Sequence, residues 1–283
     1  IINNLKHNYP NSSITLICSK YNKSIAEYYH NDVKLIVFEK PLIFFLLKNI
    51  KFLFFNNYDF IFQLDGKNHS YLTSILIKAK KKVCIRFVKS KKILGLLTYI
   101  NRPNFFINYF FDEQEISNEN YNIDNNINYH YLSLYLNLLK KLNIKILSKN
   151  HYLPFNKPKK ISNFNDGYCL IHIDQRWEQF PLDVSINLKE KILILSKSTN
   201  IVISSNIGGN KVFEYLNNEL SNKPDIEFIN DPNLHDTISL VYNSKSCISG
   251  HSGLIVHTAA AFNKKIIDIV SKDIFNELDR WIP

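Results

Sequence analysis

With 283 residues, 45% of them hydrophobic and 21% charged, the chain has the composition of a folded globular protein, which excludes a disordered or fibrous one. At roughly 100 to 200 residues per domain it is long enough for two domains with separate cores. Its 35 Lys and Arg against 25 Asp and Glu leave a net charge of +10, which favours an anionic partner without choosing among nucleic acid, a phospholipid surface and a phosphorylated substrate.

In the first half, apolar β-branched runs alternate with segments of helical spacing. The expected strands are Ser13–Cys18, Val33–Phe38, Asp59–Leu64, Val83–Phe87 and Phe105–Tyr109; the expected helices are Ser24–Tyr29, Leu42–Leu53 and Ser70–Lys80. Such alternation predicts a parallel sheet covered on both faces. The opening Ile1-Ile2-Asn3-Asn4-Leu5-Lys6 has no secretory-signal pattern. The most apolar stretch, Pro41 to Phe55, contains Lys48 and Lys51 and falls short of the ~20 residues a spanning helix needs, so a soluble protein is expected, with room for a membrane-surface patch. Asn118–Asn128 reads as a loop and Tyr129–Leu142 as a helix.

The polar stretch Asn150–Asn165, punctuated by Pro154 and Pro158, is the expected linker, dividing a domain of residues 1–152 from one of 153–283. Beyond it the alternation restarts. Strands are expected at Tyr168–Ile173, Asn200–Ser205, Ile226–Ile229, Ser246–Ser249 and Lys265–Ile269, with helices at Asp183–Ser196, Lys211–Asn217, Leu234–Asn243 and Ser252–Asn263. The architecture this predicts is α/β, two Rossmann-like domains facing each other across a cleft. In open sheets of this kind ligands sit beyond the carboxyl ends of the strands, at helix N-termini, which directs attention to the loops at Asp65, Asp174, Asn206 and Ser249.

Cys18, Cys84, Cys169 and Cys247 each fall in an apolar run with no metal-type spacing, and so read as buried free thiols suited to a reducing compartment. The lysines of Lys78–Lys82 and Lys157–Lys160 read as exposed charge. Basic residues are not interleaved with aromatics on any one element, which argues against a nucleic-acid binder. Methionine is absent, so the chain is expected to be a piece of a longer protein.

The segment with most chemistry is Ser246-Cys247-Ile248-Ser249-Gly250-His251-Ser252-Gly253, followed by Leu254 to Ala261. It reads as a buried strand, a tight turn and a helix start. Glycines let a backbone approach a phosphate, a helix start offers N–H groups and positive potential, and a serine there caps the helix or bonds a phosphate oxygen. His257 falls about one turn into the helix. An ordinary strand-turn-helix with Ser252 as cap and His257 packed on the sheet is the alternative. No cluster of carboxylates fit for a divalent metal accompanies the turn.

Ser249 to Ala261, with Lys264 to Ile269 after it, resembles the donor-binding segment D-T-G-x-x-H-x-A-A-A of bacterial heptosyltransferases, glycosyltransferase family nine. His257 and Ala259 to Ala261 match directly; Ser252 stands for the threonine and Gly253 for the glycine, with one more residue before His257 than the family has. His251 takes the place of the family's aspartate. Tyr58 to Ser70 is similar to the family's strand and turn D-x-x-I-D-L-x-G-x-x-x-S, which assigns Asp65, Lys67 and His69 to the acceptor side. Arg86 replaces a glycine usual in the strand that follows. Leu170 to Trp177, with Phe180-Pro181, resembles a strand followed by a basic residue, tryptophan and proline, so Arg176 is the expected partner of the donor phosphates. A weaker likeness is the turn Ser204 to Asn210.

The resemblance implies a GT-B glycosyltransferase that moves heptose or a similar sugar from a nucleoside diphosphate donor to a saccharide or glycolipid acceptor, by an inverting and metal-independent route. It assigns Arg176, Gly250, His251, Ser252, Gly253 and His257 to the donor. No cofactor is implied beyond the donor itself, for which ADP-heptose is the candidate. The family's catalytic base lies on a strand that precedes the region matching Ile1, and its closing helices follow Pro283, so both are expected outside this chain. Work at the inner face of the cytoplasmic membrane, in lipopolysaccharide assembly, is implied, and contact with its anionic leaflet suits the basic charge. Two other readings stay open: a transferase of the same architecture with a GDP- or UDP-linked donor, and a non-catalytic protein that binds nucleotide sugars or glycans.

Overall fold

The computed structural model describes residues 1–93, 96–101, 109–118, 131–149, 151–156, 158–180, 182–206 and 210–271. The chain divides into two compact units, Ile1–Lys149 and Asn150–Leu278.

In the first unit, helix α1 (Ile2–Asn8) leads to strand β1 (Ile14–Ser19), the short helix α2 (Lys23–Ala26) and strand β2 (Val33–Phe38). β1 and β2 pair in parallel, Ile14 opposite Val33 and Ser19 opposite Phe38. Helices α3 (Leu42–Lys48) and α4 (Ile50–Phe54) precede β3 (Tyr58–Gln63), α5 (Asn68–Leu76) and the long β4 (Ala79–Ile93). β4 pairs in parallel with β3 and with β6 (Glu113–Asn118), and antiparallel with β5 (Leu96–Asn101). Helix α6 (Tyr131–Lys141) sets Tyr131, Leu134 and Leu138, one helical stripe, against Val83 and Ile85.

This unit departs from the expected all-parallel sheet. β4 runs on past Phe87 through Lys89-Ser90-Lys91-Lys92, a stretch whose lysines hide any apolar alternation, and pairs there with β5, Ile93 opposite Leu96. A return without a crossover is antiparallel by necessity. β6 is too polar to be read as a strand from its sequence. Residues 105–108 of the expected strand Phe105–Tyr109, and residues 119–128 of the expected loop, lie outside the described residues.

The second unit follows its sequence closely. Its strands β7 (Cys169–His172), β8 (Ile201–Ser205), β9 (Ile226–Asn230), β10 (Ser246–Ser249) and β11 (Lys265–Asp268) form one parallel sheet in the order β11-β10-β7-β8-β9. Between them lie α7 (Leu182–Ser196), α8 (Lys211–Leu220), α9 (Leu234–Asn243) and α10 (Gly253–Ala261). The period-two alternation of a strand sorts the side chains to opposite faces. Cys169, Ile171, Ile201 and Ile203 pack with Ile192 of α7 and Val212, Phe213 and Leu216 of α8, whereas Leu170, Val202 and Cys247 pack with Leu240 and Val241 of α9 and Ile255 and Ala259 of α10. Both faces are covered, which is why β7 and β8 are buried along their whole length.

The described residues of the stretch expected as a linker form neither helix nor strand, yet they are fastened to the second unit. Phe155 is buried against the rings of His235, Tyr242 and Phe262. The Lys159 N–H donates to Ser239 Oγ (3.0 Å), and Ser162 donates its hydroxyl to Glu227 (2.6 Å). All four cysteines are free thiols; Cys84, Cys169 and Cys247 are buried and Cys18 is half-buried.

Candidate functional site

The strand order fixes where a ligand can be held. From β7 the chain steps outward to β8 and β9, then returns to lay β10 on the other side of β7 and β11 beyond it. The loops after β7 and β10 therefore leave in opposite directions at the carboxyl edge of the sheet, the position at which open α/β sheets hold their ligands.

Register lines up one row across this edge. Ser204 lies opposite His172, His172 opposite Ser249, and Ser249 opposite Asp268. Paired residues share a face, so four polar side chains stand side by side at the ends of four strands. Ser204, His172 and Ser249 are fully buried. His172 Nδ1 bonds Ser204 Oγ (3.0 Å), while its Nε2 has no hydrogen-bond partner among the described residues. Burial pushes the His172 pKa down to about 4, opposed in part by Asn206, so the ring is neutral at pH 7.

The turn Gly250-His251-Ser252 is built on that row. The Ser252 N–H donates to Ser249 Oγ (2.9 Å). His251 takes a left-handed backbone (φ 62°), unusual for a residue with a side chain, and Asp268 holds it there. One carboxylate oxygen accepts the His251 N–H (2.7 Å) and the other lies 2.7 Å from Nδ1. An ionised carboxylate only accepts, so Nδ1 carries the proton and Nε2 is the edge left to a ligand. Asp268 was assigned no role from the sequence; its signal there is a carboxylate at the end of the last apolar run.

The two glycines differ. A Cβ on Gly250 would stand 2.7 Å from Trp177 Nε1, so this glycine makes room for the buried indole, whose N–H donates to the His172 carbonyl (2.9 Å). The glycine expected at the donor phosphates is thus also required by packing. A Cβ on Gly253 would meet nothing within 4 Å. Ser252, expected to cap α10, makes no side-chain cap bond. The first bond inside the helix runs from the Val256 N–H to the Ser252 carbonyl, so the preceding amides of the first turn have no carbonyl of their own helix to bond.

The loop after β7 supplies the opposite charge partners. Asp174 caps the short 3₁₀ turn Gln175–Gln179, its Oδ1 accepting the Arg176 N–H (3.0 Å). Its carbonyl accepts from Asn210, which also caps α8. Burial raises the Asp174 pKa, against the pull of Arg176 and then of His251. Arg176, exposed, and His251 thus share one electrostatic neighbourhood around Asp174. His257 lies one turn further along α10, exposed, its ring 5.2 Å from that of His151.

Asp65, Lys67 and His69 belong to the first unit. The Asp65 carboxylate is occupied within its own turn, accepting from the Lys67 N–H (3.1 Å) and the Ser70 hydroxyl (3.0 Å). His69 stacks on Phe38, ring centroids 4.3 Å apart, and burial lowers its pKa against the field of Asp65. Lys67 is exposed at the start of α5. Of the turn Ser204 to Asn210, residues 207–209 lie outside the described residues.

No model of a known protein family matches the sequence, and no curated protein matches it. Solved structures do. A glycosyl transferase family 9 structure from Veillonella parvula superposes with a TM-score of 0.67 at 13% identity, covering 96% of this chain and 76% of that one. The E. coli heptosyltransferase WaaC with ADP-2-deoxy-2-fluoro heptose gives 0.63 at 15% identity, covering 94% and 82%. The E. coli ADP-heptose LPS heptosyltransferase II gives 0.58 at 11%, covering 94% and 78%. At such identities the likeness is one of fold: the chain has the α/β fold of these glycosyltransferases along nearly its whole length.

Proposed function

We propose that this chain is the body of a nucleotide-sugar-dependent glycosyltransferase, which moves heptose or a similar sugar from a nucleoside diphosphate donor to a saccharide or glycolipid acceptor in surface-glycan assembly. The observation that carries this reading is the pair of loops after β7 and β10 at the carboxyl edge of a parallel sheet, which bring Arg176 and the first-turn amides of α10 as groups for an anion, with His251, held by Asp268, offering Nε2 to a sugar hydroxyl. The shared fold with structures solved with ADP and a fluorinated ADP-heptose supports it.

Three tasks divide the chemistry: stabilise the departing diphosphate, orient the acceptor, and take its proton. These two loops serve the first. A guanidinium grips phosphate oxygens in pairs, and a helix start adds positive potential without a mobile counterion. Open space at Gly253 lets a diphosphate reach those amides closely. His257, one turn along, is assigned to the distal part of the donor, and Asp65, Lys67 and His69 to the acceptor. No residue of this chain is assigned as the base. The proposed route is inverting and needs no metal, because cationic side chains and helix dipole neutralise the leaving group.

Titration calorimetry of the protein with ADP-, GDP- and UDP-linked sugars tests the reading. Binding of the ADP-linked donor, undiminished by EDTA, is expected. Failure of every nucleotide to bind would falsify the proposal, and a strict need for manganese or magnesium would overturn the metal-independent route.

A further inference from the structure

Helices α3 and α4 are apolar on both sides. Their inner side is accounted for: Phe45 and Leu53 are buried, with Leu42, Leu46 and Phe52 packed beside them against Ile36 and Ile61. Their outer side is not. Ile43 and Leu47 stand one turn apart on α3, and Ile50 and Phe54 one turn apart on α4, with Asn49 between the two helices. Phe44 and Lys48 neighbour the first pair, and Lys51 and Phe55 the second. All six of these large apolar side chains are exposed, Phe44 by 66% and Phe55 by 77%. Single exposed apolar residues need no explanation, but six between Ile43 and Phe55 do.

Two occupants compete, a second copy of the chain and a lipid surface. Charge decides between them. Lys40 precedes α3, and Lys48 and Lys51 stand among the exposed apolar side chains; Glu39 is the acid beside them, already bonded to Lys48 (3.0 Å). Self-pairing would bring two such basic groups together in a chain of net charge +10. An anionic bilayer accepts both features at once, apolar side chains at headgroup depth and ammonium groups on phosphates. Among the described residues no helix is long and apolar enough to cross a membrane, so the contact would be peripheral.

We propose that the outer face of α3 and α4 docks on an anionic phospholipid bilayer, with Phe44, Leu47 and Phe55 entering the headgroup region and Lys51 meeting lipid phosphate. This stands independently of the donor site, because it requires no nucleotide.

Vesicle co-sedimentation of the full protein tests it, using phosphatidylcholine vesicles with and without phosphatidylglycerol. The protein is expected to sediment with the anionic vesicles, less so as salt is raised. A triple variant Phe44→Ser, Leu47→Ser, Phe55→Ser, whose side chains lie outside the core and whose thermal unfolding should be unchanged, is expected to lose at least about tenfold in partitioning, from the apolar area no longer inserted. Lys51→Glu is expected to lose about fivefold or more on anionic vesicles alone. Wild-type protein that ignores phosphatidylglycerol, or a triple variant that sediments as well as wild type, overturns the proposal. So does a concentration-dependent dimer in analytical ultracentrifugation that the triple variant abolishes, since that assigns the face to a second copy.

Discussion

Asp268 converts His251 from a flexible ring into a fixed one. Because both carboxylate oxygens are engaged by the same residue, the backbone turn and the tautomer are set together. Asp268→Asn keeps the shape but presents an amide N–H to Nδ1, which moves the imidazole proton to Nε2 and turns the acceptor left to a ligand into a donor. On the proposed reading it should weaken binding of the ADP-linked sugar, one of whose hydroxyls donates to Nε2, by about tenfold, the worth of one hydrogen bond. His251→Gln should lose a similar factor, and the double variant little more, since one interaction is being removed twice. Additive losses in calorimetry would show that the two act separately. His172 makes a prediction about pH. Its folded pKa of about 4 lies below the ordinary 6.5, so the unfolded chain binds the proton more readily. The stability from the neutral ring is present above pH 6.5 and is lost as pH falls toward 4, by ~3 kcal/mol on a single-site account. Urea unfolding of wild type and His172→Asn at pH 7 and pH 4.5 should show a smaller acid loss in the variant; equal losses would remove His172 as the cause.

At the scale of elements, strands buried on both faces announced themselves and polar elements did not. β7 and β8 were legible because a short apolar run bounded by turn residues reads as a buried strand. β6 and the far half of β4 carry Glu, Gln, Ser and Lys, and only their pairing makes them strands. The segment 151–165 taught the opposite lesson. Its prolines and polar residues read as a spacer, while Phe155, Lys159 and Ser162 tie it to α9, β9 and the residues after α10. If that strap belongs to the fold of the second unit, Phe155→Ala should lower the unit's stability by about 3 kcal/mol, the usual loss on emptying a buried aromatic site. Thermal unfolding unchanged by the substitution would make the segment a spacer after all.

For the whole molecule, each unit has its own core, and the proposed donor residues all belong to the Asn150–Leu278 unit. A ligand that binds only the folded state stabilises whatever must be folded to hold it. ADP at a hundred times its Kd should therefore raise the opening free energy of β7, β8 and β10 by about 2.7 kcal/mol. Hydrogen exchange of their amides measures this, and no added protection in saturating ADP would count against these residues as the donor site. The sequence by itself determined the alternation of elements, both faces of the second sheet, the turn Ser249 to Gly253 and the candidate Arg176, because periodicity and turn chemistry act over a few neighbouring residues. Only the tertiary structure decided what those residues meet. Asp268 reaches His251 across 17 positions, Trp177 claims Gly250, and Ser204, His172, Ser249 and Asp268 fall in one row, since strand order and register bring together residues that are distant in sequence.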